Sequence, residues 1–415
     1  MKGKLFQPVY LNAFKCIGSE CEDTCCANWT IAIDKKSYKK YKNVADREFQ
    51  TKLKEGITRV KDTSKTNENL YAQMKLDENN QCNFLTENRL CGIQQKLGES
   101  FLCNTCSVYP RIINKLDDTL ERSGTISCPE VARLALLNKK GIEFESFIGD
   151  VPYKIYQGEL QRKAYKTNSL EHNFWDIRYL IIEVLQERKL RLWERLLYVG
   201  IFIQKLQTGN FQNEMELTNL ISTFRNTLKN SNVSDLFSQV PVKIEMQFKI
   251  LQLIAEARQN EGINHPKFEK YYNEFLTGIK YSSLEEEEKN IQNYIVTLES
   301  FLETEEEFEY IFENYLVNQA FNTMFPLNPD GNYMREFGYL ILHYALIRLH
   351  LVGIKAYQNG NLNDNEIVSF IQSFSRNVGH NKGYLRKIYK FLEENSLDNI
   401  GAYTILLKNK KLIPM

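Results

Sequence analysis

The sequence predicts a mainly α-helical protein in which a loop-rich, cysteine-bearing domain with minor β structure precedes a domain of many helices. All nine cysteines of the 415 residues lie between Cys16 and Cys128. Beyond residue 165, apolar residues recur at the three- and four-residue spacing of buried helix faces. We therefore expect a cysteine-rich, metal- or Fe-S-binding domain over residues 1–140 and an all-helical domain over residues 141–415.

Local signals in the first domain predict a few short elements. The alternating residues 29–34 predict a short strand that leads into a helix near 35–49, and the polar residues 55–69 predict a loop. Residues 111–127 predict a β-hairpin. Proline directly after Cys128 predicts the start of a helix, whose dipole would stabilise the Cys128 thiolate.

The second domain is predicted to be helical almost throughout. Phe174, Ile177, Ile181 and Val184 follow the spacing of one buried stripe. Further helices are expected near 213–229, 240–259, 266–278, 284–324, 332–357, 363–377 and 382–396.

Composition narrows the class of function. The formal net charge of +1 argues against a dedicated nucleic-acid binder, which usually carries a basic excess. The N-terminus lacks the apolar region of a signal peptide, and no run of about 18 apolar residues predicts a membrane span. We therefore expect a cytoplasmic protein without a transmembrane segment.

Clustered thiols in a reducing compartment favour metal or iron–sulfur ligation over disulfides. Cys16, Cys21, Cys25 and Cys26 lie within eleven residues and need a loop that folds back on itself, which a metal would hold in place. Because consecutive side chains diverge, either Cys25 and Cys26 face different centres or just one of them is a ligand.

Two further cysteine pairs complete the series, Cys82 with Cys91 and Cys103 with Cys106. The sequence alone does not assign which four sulfurs share a centre. Arg111 follows Cys106 closely enough to line the same site, where its guanidinium would bind a cofactor carboxylate with two hydrogen bonds. The other interpretation is a surface arginine after a turn proline.

The chain resembles the bacterial flagellin lysine-N-methylases, and its first part resembles a cysteine-rich zinc- or iron-chelating domain. The stretches that carry the resemblance are 15–18 through Cys25-Cys26, 105–111, 127–136, 174–178, 192–196, 313–318, and Ser375-Arg376 with His380.

The resemblance implies a cytoplasmic methyltransferase that transfers methyl groups from S-adenosylmethionine to surface lysines of flagellin, its protein substrate. It also implies an oxygen-sensitive 4Fe-4S cluster. The cysteines carried over as cluster or metal ligands are Cys16, Cys21, Cys25, Cys26, Cys82, Cys91, Cys106 and Cys128. Cys103 falls where the family pattern has a small polar residue and is set aside. Tyr109 is the candidate to assist deprotonation of the lysine, and Arg111 the candidate to bind the cofactor.

A second function remains open at this point. The Cys-x3-Cys-x2-Cys spacing usual for clusters that activate S-adenosylmethionine does not occur, and neither does the glycine-rich fingerprint of a Rossmann-type methyltransferase. The alternative is a non-catalytic protein in which zinc closes tetrahedral thiolate sites and the helical domain binds another protein.

Overall fold

A computed structural model describes residues 2–408 except 63, 65, 151–155 and 264. This part of the chain forms sixteen α-helices and eight β-strands, which confirms the mainly α fold class. The strands are β1 (Lys2–Pro8), β2 (Ala32–Ile33), β3 (Ile57–Arg59), β4 (Ala72–Met74), β5 (Arg111–Leu116), β6 (Thr119–Gly124), β7 (Phe144–Asp150) and β8 (Gly158–Leu160). The helices are α1 (Lys35–Lys42), α2 (Arg47–Glu55), α3 (Gly92–Leu97), α4 (Asn104–Val108), α5 (Pro129–Leu136), α6 (Phe174–Leu185), α7 (Leu192–Thr208), α8 (Glu214–Asn230), α9 (Ile244–Asn260), α10 (Pro266–Gly278), α11 (Glu287–Leu302), α12 (Glu305–Asn322), α13 (Tyr333–Tyr357), α14 (Asp364–Phe374), α15 (Lys382–Glu394) and α16 (Ile400–Leu407).

A five-stranded sheet in the order β7-β1-β6-β5-β8 joins the two predicted domains. Strand β7 runs antiparallel to β1, and β8 runs parallel to β5. The expectation that residues 141–415 are all helical is therefore wrong for Phe144–Asp150 and Gly158–Leu160, which form strands. A boundary at residue 140 would divide this sheet. The sequence misses β7 because it is an edge strand with mostly exposed side chains, so its apolar residues do not alternate.

Several local predictions are confirmed in the first part of the chain. The hairpin forms as β5 and β6, with Asp117 at positive φ in its turn. Helix α5 begins directly after Cys128, with proline at its first position.

Other local predictions need correction. The strand near 29–34 is reduced to β2, and the polar stretch 55–69 contains β3. The helix near 35–49 is interrupted because Asp46 starts a new helix: its carboxylate accepts the backbone N–H of Phe49 at 2.9 Å.

The helical region follows the predicted spacing closely. Residues 284–324 form two helices, α11 and α12, rather than one. Helix α16 is missed because nearly all of its residues are apolar, so no polar face marks a helical period.

Helix α13 is the central helix of the core. Among the described residues it alone is long and apolar enough to cross a membrane by length and composition, and 94% of its most apolar window is buried in the protein. It contacts α10 at backbone distance, because a Cβ built on Gly278 would lie 1.8 Å from the carbonyl oxygen of Gly353. Helix α13 is therefore a core helix that is surrounded by other parts of the protein.

We expect the buried His350 of α13 to make the fold sensitive to acid. Burial lowers the pKa of His350 from 6.5 to about 4, although its ring also bonds the Leu346 carbonyl. The unfolded chain therefore binds a proton that the folded chain does not, so stability falls as the pH drops from 6.5 towards 4. Over this pH range, the free energy of unfolding of the His350→Leu variant should fall by up to about 3 kcal/mol less than that of the wild-type protein. Urea denaturation at several pH values would measure this difference. An unchanged pH slope in the variant would contradict this assignment.

Candidate functional site

The structure distributes the cysteines between two cores. Cys82 and Cys103 are buried in a small apolar core of the N-terminal part, and Cys26, Cys91 and Cys106 pack against the same core. Cys128 belongs instead to the main helical core. Cys16 and Cys25 are exposed and Cys21 is half-buried, and all nine thiols are free.

Three cysteines occupy the first position before a helix: Cys91 before α3, Cys103 before α4 and Cys128 before α5. Backbone N–H groups of each first turn act to lower the pKa of the preceding thiol, although none of the three sulfurs caps its helix with a hydrogen bond. Burial nevertheless raises the pKa of Cys128 to about 12 and also raises the pKa of Cys91. These thiols therefore stay protonated at neutral pH unless a cation lies beside them, as a bound metal does.

Asp23, between Cys21 and Cys25, ties the cysteine loop to the helical part. Its carboxylate accepts hydrogen bonds from His265 Nε2 at 3.1 Å, from Gln372 Nε2 at 2.7 Å and from Arg376 Nη1. Burial would raise the pKa of Asp23, but the hydrogen bond from His265 and the charge of Arg376 hold it at about 2. We call Asp23, His265, Gln372 and Arg376 the Asp23 clamp.

Two clamp residues also hold backbone beside the cysteines. Arg376 donates to the carbonyl oxygen of Thr24 at 2.8 Å and to that of Ala27, so its guanidinium spans the segment that carries Cys25 and Cys26. Gln372 donates to the Ser127 carbonyl at 2.8 Å, next to Cys128. The clamp therefore fixes two cysteine-bearing segments against the helical part.

The sequence points to this clamp only in part. Arg376 belongs to a stretch quoted for the family resemblance, and it lies in a π-helical turn, Ser375–Gly379, a distortion often found at functional sites. Asp23, His265 and Gln372 are not predicted from the sequence. An acidic residue inside a cysteine loop is a usable signal, but its partners are 242 to 353 residues away in sequence.

Tyr109 lies beside the clamp. Its ring packs against Trp29 with centroids 5.7 Å apart, and its hydroxyl is 3.4 Å from the Ser127 hydroxyl. Burial raises the pKa of Tyr109 well above its ordinary value, and the neighbouring Cys128 adds to this effect. Tyr109 is therefore a protonated hydrogen-bond donor at neutral pH, whereas a general base needs a pKa near the working pH.

Arg111 lies close to the segment that leads to the first cysteine. It begins β5, and its guanidinium lies 5.2 Å from the ring centroid of Phe14, two residues before Cys16. No carboxylate of the described residues forms an ion pair with it.

Within the described residues, no group of three or more His, Cys, Asp or Glu side chains is already arranged to hold a metal ion. The donor set nevertheless suits a thiolate-bound centre. The neighbouring Cys26 thiol raises the pKa of Cys25, and Cys103 raises the pKa of Cys106. Because the thiolate is the ligand, metal binding would displace the protons of these thiols.

Residues 313–318, one of the stretches that carry the family resemblance, make structural contacts in the interior of the protein. Glu313 is buried and accepts hydrogen bonds from Arg188 and Arg195 at 2.8 Å each. Asn314 donates to the carbonyl at the end of α5, and Asn318 donates to the Gly124 carbonyl of β6. An open depression of about 580 Å³ adjoins Glu313, and no cysteine lines it.

Fold and site together define a mainly helical protein whose C-terminal helices clamp a cysteine-rich N-terminal part. Residues 178–406 match the family model described as the FliB lysine N-methylase C-terminal domain. The chain therefore belongs to the FliB lysine N-methylase family, which confirms the resemblance seen in the sequence.

Relatives with curated names extend the match over most of the chain. The lysine-N-methylase of Salmonella typhimurium is 22% identical over 93% of this chain and 94% of its own length. That of Salmonella choleraesuis is 23% identical with the same coverage. The flagellar biosynthetic protein FliU of Salmonella muenchen is 34% identical over 30% of this chain and 72% of its own length. No solved structure matches the chain.

Proposed function

We propose that the protein is a cytoplasmic, S-adenosylmethionine-dependent N-methyltransferase that acts on surface lysines of flagellin. The observation that carries this proposal is the family match over residues 178–406. Two relatives named lysine-N-methylase, aligned over 93% of the chain, support lysine methylation. The flagellar name of the third relative supports flagellin as the substrate.

The proposed cofactor is a 4Fe-4S cluster beside the Asp23 clamp, with zinc as the alternative metal. Asp23 lies between Cys21 and Cys25, and its partner Gln372 also bonds the Ser127 carbonyl next to Cys128, which supports a shared centre for these three thiols. A cluster held by three cysteines would supply an iron at which S-adenosylmethionine binds and is activated.

The protein's own residues would bind and shield the reactants. Arg111 is proposed to hold the carboxylate of S-adenosylmethionine with paired hydrogen bonds. The rings of Trp29 and Tyr109 adjoin Cys25, whose carbonyl accepts the Trp29 Nε1–H at 2.6 Å. Such aromatic faces attract a methylated ammonium and exclude water around the lysine. The lysine ε-amine must lose its proton before it attacks the methyl sulfonium.

The test is methyl transfer by oxygen-free, reconstituted protein to purified flagellin, read by mass spectrometry of lysine peptides. We expect methylated lysines with S-adenosylmethionine, and none when S-adenosylhomocysteine replaces it. Unmodified flagellin after incubation with fully loaded protein would overturn the proposal and leave the non-catalytic zinc protein as the better account.

Arg111→Gln should raise the KM for S-adenosylmethionine about 10-fold or more with kcat changed much less, because it removes a charged hydrogen bond made on binding. The matched control is Arg47→Gln, an exposed arginine at the start of α2. Equal KM values for the two variants would remove Arg111 from the cofactor site.

A further inference from the structure

We infer that Thr125, Ser127 and His380 form a proton relay that leads from the proposed lysine site to solvent. The inference rests on the proposed function, because the lysine ε-ammonium must lose a proton before it accepts a methyl group. Tyr109 adjoins the lysine site, but burial raises its pKa and keeps its hydroxyl protonated, so it is not the final base. A side chain with a pKa nearer the working pH must therefore receive the proton.

A continuous chain of hydrogen bonds connects Tyr109 with His380. The Tyr109 hydroxyl lies 3.4 Å from the Ser127 hydroxyl, which lies 3.0 Å from the Thr125 hydroxyl. The Thr125 hydroxyl is in turn 3.4 Å from His380 Nε2. Each hydroxyl both donates and accepts, so all three donors can point the same way, towards the imidazole ring. Contacts of 3.4 Å are long, as contacts for proton transfer often are before a substrate binds.

The chain of hydroxyls runs from the interior of the protein to its surface. Ser127 is 1% exposed and Thr125 is 7% exposed, so bulk water does not replace these two hydroxyls in carrying the proton. His380 is exposed and meets solvent at the far end. Histidine is the side chain whose charge ordinarily changes near neutral pH, which suits it to pass a proton to water.

The Asp23 clamp and the π-helical turn position this chain. Gln372 donates to the Ser127 carbonyl at 2.8 Å and so fixes the backbone that carries the Ser127 hydroxyl. The turn Ser375–Gly379 directs Arg376 to the Thr24 carbonyl and ends at His380. One stretch of the family resemblance, Ser375-Arg376 with His380, therefore has two roles: Arg376 holds the cysteine loop, and His380 ends the relay.

The charged and titratable neighbours of His380 do not oppose its protonation at neutral pH. His343 of α13 acts on His380 electrostatically, but burial lowers the pKa of His343 to about 4, so its ring is neutral there. The Cε1 atom of His343 lies 4.0 Å from a Cβ built on Gly379, the residue before His380. Arg376, on the same turn, forms an ion pair with Asp23.

The transfer leaves no charge on any hydroxyl. The lysine ammonium gives a proton to the Tyr109 oxygen while the Tyr109 hydroxyl proton moves to Ser127. The Ser127 proton moves to Thr125, and the Thr125 proton moves to His380 Nε2. The imidazolium then loses one proton to water, which leaves a neutral lysine amine. That amine forms the new N–C bond as the S–CH3 bond of S-adenosylmethionine breaks, and the electron pair of that bond stays on sulfur.

The first test measures methyl transfer to purified flagellin by the full chain and by variants in the hydroxyl chain. Thr125→Val replaces the hydroxyl with a methyl group of similar size and should lower kcat about 100-fold, with the KM for S-adenosylmethionine unchanged. Thr125→Ser keeps the hydroxyl and should retain most of the activity. A role of Thr125 in packing alone would reverse this order.

The exposed end of the relay gives a variant that keeps the test valid if Thr125→Val does not fold. His380→Ala should also lower kcat about 100-fold, and added imidazole should restore much of the activity. His172→Ala is the matched control, because His172 bonds the Arg162 carbonyl away from the hydroxyl chain. This control should keep its activity and not respond to imidazole. Full activity in His380→Ala without imidazole would overturn the relay.

Nitrogen NMR of histidine-labelled wild-type protein supplies a measurement that does not depend on methyl transfer, with His380→Ala to assign the signal. We expect the neutral His380 ring to carry its proton on Nδ1, because Nε2 accepts the Thr125 hydroxyl. Methyl transfer together with a proton on Nε2 would refute the relay alone. Absence of methyl transfer by the wild-type protein would refute the proposed function and, with it, the relay.

Discussion

Replacing Arg376 with alanine is expected to lower the free energy of unfolding by about 3–5 kcal/mol and to release the cysteine loop. The change leaves the Asp23 carboxylate buried without its guanidinium, and removal of one partner of a buried ion pair costs this much. The side chains of Arg376 and Asp23 are 8% and 9% exposed, so water screens the pair little. Urea denaturation would measure the loss of stability, and the alkylation rate of Cys25 would measure release of the loop.

The matched control is Arg386→Ala, an exposed arginine of α15, which should change stability by less than about 0.5 kcal/mol. Arg376→Lys should fall between the two, because lysine keeps the charge but not the planar fork that also reaches the carbonyls of Thr24 and Ala27. Equal stability and equal Cys25 reactivity in the two alanine variants would show that the clamp does not hold the loop.

Replacing Arg178 with methionine should destabilise the fold by a similar amount, about 3–5 kcal/mol, at a different junction. Arg178 of α6 and Glu121 of β6 are both 0% exposed and form two hydrogen bonds, one of them 2.7 Å long. The guanidinium also lies 4.6 Å from the ring centroid of Trp175 and 4.8 Å from that of Phe321. This pair joins the sheet to the helices.

A double-mutant cycle separates the ion pair from simple packing. Arg178→Met combined with Glu121→Gln should cost less than the sum of the single changes, because no buried charge then lacks its partner. Additive costs in urea denaturation would mean that the two charges do not stabilise each other.

The sequence correctly predicts helices and strands whose formation depends on residues close to one another in the chain. Proline starts α10 at Pro266, and α5 begins directly after Cys128, as the sequence indicates. The edge strand β7 forms by pairing with β1, which lies about 140 residues earlier in the chain. The residues of β7 alone are therefore not sufficient to predict a strand. The helical prediction therefore fails there, where pairing with a distant strand decides the structure.

In the candidate site, too, some features are visible in the local sequence and others depend on distant residues. The cysteines are visible in the sequence because thiols concentrated in 113 residues need a chemical reason. Their grouping is not visible, since it depends on which loops share a core. Cys103 illustrates the difference: a family pattern sets it aside, whereas the structure buries it in the small core that Cys106 also packs against. Asp23 becomes important through residues more than 200 positions away.

We propose that the cysteine-rich part carries a reactive iron–sulfur centre held by the helical part. The most direct test is visible absorption with iron, sulfide and zinc content of protein purified without oxygen. We predict brown protein with about four irons and four sulfides per chain, and a spectrum that changes when S-adenosylmethionine is added. Colourless protein with zinc and no iron, even after reconstitution, would contradict the claim.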